Sequence, residues 1–156
     1  MNPITDVIDD FLKALELAGI TMDKASIKVI DLGYSHQPKC LPSGKMGIYT
    51  FLKGDRFLKI GKVGPKSNAR FRSQHYCPYR SKSNLATSIL NDNKMLKYDL
   101  DDSTIEDWIK KHTRRIDILL DESVDVLILS FLEAFLHCRF NPAYEGHQSQ
   151  RNFQID

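Results

Sequence analysis

Apolar side chains recur at Ile4, Val7, Ile8, Phe11, Leu12, Leu15 and Leu17. That spacing lines one face of a helix over residues 4–18, with Gly19 placed to end it. IKVID, residues 27–31, reads as a short strand, and SHQPKCLPSGK (35–45), with two prolines and a Ser-Gly pair, reads as a loop. IYTFL and FLKIGKV flank a four-residue turn at Lys53–Gly54–Asp55–Arg56 and predict a β-hairpin. Gly64–Pro65 ends the second strand. Ser67–Asn68 stands where a cap belongs, so a helix is expected from about Ala69 through Phe71 to about His75. Further helices are predicted over 84–92 and over 104–112, the latter capped by Ser103 or Thr104. RRIDILLDE (114–122) predicts a strand. VDVLILSFLEAFLHCRF (124–140) is the strongest helical segment and stops at Asn141–Pro142.

This order predicts an α/β (α+β) fold with a small, mostly antiparallel three-stranded sheet flanked by helices. Residues 1–38 are expected to form an N-terminal helical extension packed on the core, 39–145 the main domain, and 146–156 a polar C-terminal tail.

Composition narrows the setting. The chain has 156 residues, 42% apolar and 27% charged, which suits one globular domain. No run of eighteen apolar residues occurs, so no membrane partner is expected. The first residues, MNPITDVIDDF, carry acids and no apolar stretch, unlike a secretory leader. Cys40, Cys77 and Cys138 form no CxxC pair, and three unpatterned thiols fit a reducing cytoplasm.

Charge changes the picture more. The net charge is only +2, but residues 39–82 hold eleven Lys and Arg against one acid, Asp55. Residues 99–125 hold nine acids against four bases. A basic block this dense points to a polyanion, and phosphates are the obvious anion. Lys45, Lys62, Lys66, Arg72, Arg80 and Lys82 are the expected phosphate contacts, with Tyr76 and Tyr79 as rings on which bases can stack.

Phosphodiester hydrolysis needs a base beside a water, positive charge at the phosphoryl oxygens, and a cation or acid at the leaving oxygen. Within the hairpin, alternation puts Tyr49 and Phe51 on one face, Lys59 and Gly61 on one face, and Lys62 on the other. A phenol at pKa about 10 is a poor base, and a nearby lysine or cation favours the phenolate. Arg70, Arg72 and His75 follow in the next helical segment. An arginine there can clamp a phosphate and His75 can orient or relay a proton. Glu133 lies among apolar neighbours and borders the apolar stripe of its helix, so it must face out, pair, or bind a cation. A lone carboxylate completed by waters and phosphate oxygens suits Mg²⁺. HExxH, paired zinc cysteines and GxxxxGK[ST] are absent from the sequence.

Gly47–Ile48–Tyr49, then Lys59–Ile60–Gly61, then Arg70–Phe71 in SNARFRSQHY, then Glu133 in LEAFL, together resemble the GIY-YIG nuclease family. Lysine at the second triplet is similar to the family's restriction-endonuclease-like branch. The resemblance covers about residues 46–142. It implies a compact sheet with flanking helices, a single divalent cation (Mg²⁺, with Mn²⁺ able to substitute) and cleavage of DNA, double-stranded, by a monomer or homodimer. By likeness Tyr49 is the base or its activator, with Lys59 or His75 assisting. Arg70 is the phosphate clamp, with Arg72 its rival, and Glu133 is the metal ligand. Gly47, Gly61 and Asn141 support the site. The family's terminal Asn has no match at Glu145; Asn141, just before Pro142, is the nearest candidate. The expected function is a divalent-metal-dependent DNA endonuclease. The alternative is a catalytically weak or inactive nucleic-acid-binding module on the same scaffold.

Overall fold

The computed structural model describes residues 2–80 and 84–145. Lys82 and the 146–156 tail lie outside the described residues. The core is an antiparallel sheet of four strands, β1 (Ile27–Gly33), β2 (Lys45–Lys53), β3 (Arg56–Val63) and β4 (Arg114–Asp121), in spatial order β1-β4-β2-β3. The expected three-stranded sheet is therefore corrected to four. The segment at 27–33 belongs to the sheet because it pairs with β4 along its length, from Ile27 opposite Leu120 to Gly33 opposite Arg115. Its partner lies more than eighty residues away, which local patterning does not reveal.

Among the described residues five α-helices cover the sheet: α1 (Thr5–Leu17), α2 (Asn68–Arg72), α3 (Leu85–Leu90), α4 (Ile105–His112) and α5 (Val126–Phe140). One face is mostly apolar, with Thr50 donating its hydroxyl to the Ile116 carbonyl. Met46, Ile48, Leu52, Ile60, Ile116, Ile118 and Leu120 pack there against Ile8, Phe11 and Leu15 of α1 and Leu129, Leu132 and Leu136 of α5. The other face is mixed. Tyr49, Phe51 and Leu119 meet Phe71 of α2, Leu85 and Ile89 of α3, and Ile105, Trp108 and Ile109 of α4. Buried polar side chains share that face: Lys59, His75, Arg115 and Asp117.

Two local expectations change. α2 stops at Arg72, short of the expected end near His75. The amides of Ser73 and Gln74 both turn onto the Ala69 carbonyl and close the helix there. At α4 neither Ser103 nor Thr104 caps with its side chain. The Asp101 carboxylate instead accepts from the amides of Ser103 and Thr104, both at 2.9 Å.

β3 is an edge strand, and the chain seals it. Ala143 and Tyr144 donate backbone N–H bonds to the carbonyls of Phe57 and Leu58 at 3.0 and 2.9 Å. Farther along, α5 does the same with side chains. His137 Nε2 donates to the Ile60 carbonyl at 3.0 Å, and Glu133 Oε1 accepts from the Lys62 amide at 3.0 Å. Edge groups that would otherwise template association are thus occupied.

Candidate active site

The register of β2 against β3 sets the geometry. Tyr49 stands opposite Gly61, and Phe51 opposite Lys59. The phenol lies across the bare Cα of Gly61: a Cβ there would sit 2.2 Å from the Tyr49 hydroxyl oxygen. Gly47 has the same logic at the other neighbour, where a Cβ would lie 2.5 Å from the Ile118 carbonyl oxygen. Both glycines are therefore steric requirements of the strand packing.

Arg70 Nε donates to the Tyr49 hydroxyl at 3.3 Å. Arg72, two residues on, points elsewhere and lines a cleft of about 340 Å³ with Tyr76, Cys77, Glu106 and Lys110. Of the two arginines, Arg70 is the one at the tyrosine. His75 packs its ring on Tyr49 with centroids 4.3 Å apart. It is 2% exposed, and neither ring nitrogen has a hydrogen-bond partner. Burial, then the charges of Lys59, Arg70 and Arg115, push its pKa down to about 2. The ring packs against the Tyr49 phenol, and burial disfavours its charged form.

Lys59 is 1% exposed and donates to Glu145 Oε1 at 2.9 Å. Lys62 Nζ donates to Glu133 Oε2 at 2.6 Å, while its own amide reaches Oε1. Two ammonium–carboxylate pairs therefore flank the Tyr49–Arg70 contact. Burial is the main reason the Tyr49 pKa rises to about 12; Arg70 opposes the rise, and Glu145 and Glu133 add to it. The sequence expectation was that lysines favour the phenolate. The cation that does so here is Arg70, because Lys59 and Lys62 are each engaged by a carboxylate.

Glu145 was not among the expected site residues, yet the segment after α5 carries it into the group. Tyr144 anchors that segment further by donating from its hydroxyl to Asp92 at 2.7 Å. Asn141 is the left-handed residue (φ 41°) that ends α5. Position 145 therefore holds the contact at Lys59 through its carboxylate.

Arg115 and Asp117 were also missed. Asp117 stands opposite Tyr49 and Arg115 opposite Phe51 in the β2–β4 register. The Arg115 guanidinium donates to Asp117 Oδ1 at 2.9 Å, to the Tyr76 hydroxyl at 2.9 Å and to the Phe71 carbonyl at 2.7 Å. It thereby ties the end of α2, which carries Arg70, to the sheet. Burial raises the Asp117 pKa, opposed by Arg115. The signal in the sequence was an Arg and an Asp at i, i+2, which share one sheet face, beside Ile116 and Ile118 in one strand.

The expected phosphate contacts divide. Lys66, Arg72 and Arg80 are exposed. Lys45 pairs with Asp121 at 2.7 Å and Lys62 with Glu133. Tyr76 is 2% exposed, with its hydroxyl bound to Arg115, so its ring has no open face for a base. Tyr79 is 67% exposed. Among the described residues, no three His, Cys, Asp or Glu side chains converge as a metal cluster. No helix of the described residues is long and apolar enough to cross a membrane. Comparison with family models, with curated proteins and with solved structures finds no match to the chain.

Proposed function

We propose that the chain is a divalent-metal-dependent DNA endonuclease of GIY-YIG type, with Tyr49, Arg70 and Glu133 at its centre. The observation that carries this reading is the Tyr49 hydroxyl seated over Gly61 and held by Arg70 at 3.3 Å. Arg70 remains solvent-accessible above the buried ring. Its free donors suit a phosphoryl group, which gains most as charge develops on its oxygens.

The donor set fits Mg²⁺, or Mn²⁺ in its place. Mg²⁺ binds through one or two carboxylates plus waters and phosphate oxygens, and Glu133 with Glu145 supplies that number. Glu133 would hold the ion once Lys62 releases it. A bound divalent ion stabilises a leaving oxygen and offsets phosphate charge. Tyr49 would orient or deprotonate the attacking water, aided by Arg70, which opposes the rise of its pKa, and Arg70 would hold the phosphate. Lys59 balances Glu145 and holds the segment after α5 against the sheet.

A second reading rests on one observation: in this arrangement ammonium groups, at 2.6 and 2.9 Å, already satisfy both carboxylates. The scaffold would then bind nucleic acid through Lys66, Arg72 and Arg80 with little turnover. A plasmid-nicking assay with Mg²⁺ and with Mn²⁺, on the native chain and Glu133→Ala, separates the two. The nuclease reading expects metal-dependent nicking that Glu133→Ala abolishes. Duplex binding without nicking by either ion selects the second reading. Equal nicking by both proteins removes Glu133 from the metal site.

A further inference from the structure

α2 turns its two arginines to different surroundings. Arg70 reaches the Tyr49 hydroxyl, while Arg72 lines the cleft of about 340 Å³. At about 100° per residue the two side chains leave the helix about 160° apart. The cleft is close to the lower end of small-molecule sites, about 300–1,000 Å³, so it has room for one nucleotide and not for a duplex. Its wall holds acceptors as well as donors. Glu106 and Lys110, one turn apart on α4, pair through Oε1 and Nζ at 2.6 Å. That bond leaves Glu106 Oε2 with no hydrogen bond from any described residue, and it uses one of the three ammonium donors. Lys110 Nζ also lies over the Tyr76 ring, 5.6 Å from its centroid, which holds the pair in place. Gln37 adds an exposed amide, and Arg72 is exposed and in no ion pair among the described residues.

We propose that this cleft takes one unpaired nucleotide of a nucleic-acid strand, its phosphate on Arg72 and its base edge on the Glu106–Lys110 pair. A phosphate by itself offers only acceptors, and the Glu106 carboxylate in the wall repels it. A base offers what the wall lacks. Its Watson–Crick edge presents an N–H donor beside an acceptor, and Glu106 Oε2 with the Lys110 ammonium presents an acceptor beside a donor. The Gln37 amide is a second such couple. In a duplex that edge is already bonded to the opposite base, so the cleft selects a single-stranded, frayed or extruded nucleotide. Arg72 supplies the charge, through a planar fork of donors suited to phosphate oxygens. A free nucleotide carries the same groups. The strand is favoured because Arg70 and Arg72 share one helix of 5 residues, so a chain of phosphates held by one lies within reach of the other. The proposal rests on the reading that the chain binds nucleic acid and is independent of turnover.

Fluorescence anisotropy on the full chain in EDTA tests this, since the cleft calls for no divalent ion. The probes are a short labelled oligo(dT) and an abasic strand with the same number of phosphates. The native chain should bind oligo(dT) about five- to tenfold tighter than the abasic strand, the net gain from one or two hydrogen bonds. Glu106→Ala should bring the two affinities within about twofold of each other. Asp107→Ala, the same loss of charge at the next, exposed residue, should leave the difference intact. Arg72→Met should weaken both probes alike and lower the slope of affinity against salt by about one. Unlabelled dTMP separates the two sources of the ligand, and it should displace oligo(dT) only weakly. Binding to neither probe, equal binding to both, or a preference that survives Glu106→Ala overturns the proposal. So does a preference lost equally in Asp107→Ala, or binding indifferent to Arg72→Met. If dTMP binds as tightly as oligo(dT), the occupant is a free nucleotide and the strand assignment falls. A chain that shows the base preference but never nicks plasmid keeps this site and loses the nuclease reading; nicking without the preference does the reverse.

Discussion

Gly61→Ala tests the central contact through stability alone. The added Cβ would lie 2.2 Å from the Tyr49 hydroxyl oxygen and 2.5 Å from its Cζ. Neither side can yield cheaply. Gly61 is fixed in the ladder opposite Tyr49, and the phenol is backed by the His75 ring at 4.3 Å. The hydroxyl must withdraw by more than an ångström, which breaks its 3.3 Å bond from Arg70. Overpacking of this kind costs about 1–3 kcal/mol and the lost charged hydrogen bond about 1 more. Replacing a strand glycine returns about 0.5–1 kcal/mol. The net loss is about 1–3.5 kcal/mol, or about 2–14 °C in Tm for a chain of this length. The control is the same change in a Tyr49→Leu background, where the side chain no longer reaches position 61. There Gly61→Ala should be neutral or slightly stabilising. Urea unfolding of the four proteins gives a coupling energy, expected at about 2–4 kcal/mol. A coupling below about 0.5 kcal/mol would mean that the ring does not lie over Gly61, and the site geometry would fall with it.

Acid should destabilise the fold through its buried histidines. The pKa of His75 is depressed to about 2, and that of His36 to about 4, mainly by burial. Below pH 6.5 the unfolded chain binds protons that the native state refuses. Each histidine should therefore remove about 1.4 kcal/mol per pH unit as pH falls, down to its folded pKa. His75→Phe should flatten the curve of stability against pH below 6.5, and parallel curves would contradict this. Arg115→Met leaves the Asp117 carboxylate buried without its partner and should cost about 3–5 kcal/mol at pH 8. Because burial already raises the Asp117 pKa, protonation should relieve part of that loss at pH 5; an equal loss at both pH values would refute the pairing. Lys62→Met frees Glu133 from its ammonium partner and should tighten Mn²⁺ binding several-fold by electron paramagnetic resonance titration. Unchanged or weaker binding would remove Glu133 as the ligand.

The sequence by itself determined whatever depends on near neighbours. The periodicity of Ile4 to Leu17 places α1, the turn at Lys53–Arg56 places the hairpin, and the run from Val126 to Phe140 places α5. It also put Tyr49, Gly61, Arg70 and Glu133 in view. Tertiary structure decided what distant segments do to one another. β1 became a fourth strand because β4 offers it a free edge. The choice of Arg70 over Arg72 followed from where α2 ends and which face it turns to Tyr49. The lowered pKa of His75 comes from burial and from Lys59, Arg70 and Arg115, of which only Arg70 is near it in the sequence. Glu145 gained a role because two backbone bonds to β3 lay the chain after α5 along the sheet edge. Residue type and spacing fix what a side chain can do. Its partners and its access to water are set by the packing, and those decide whether it is a base, a clamp or a filler of space.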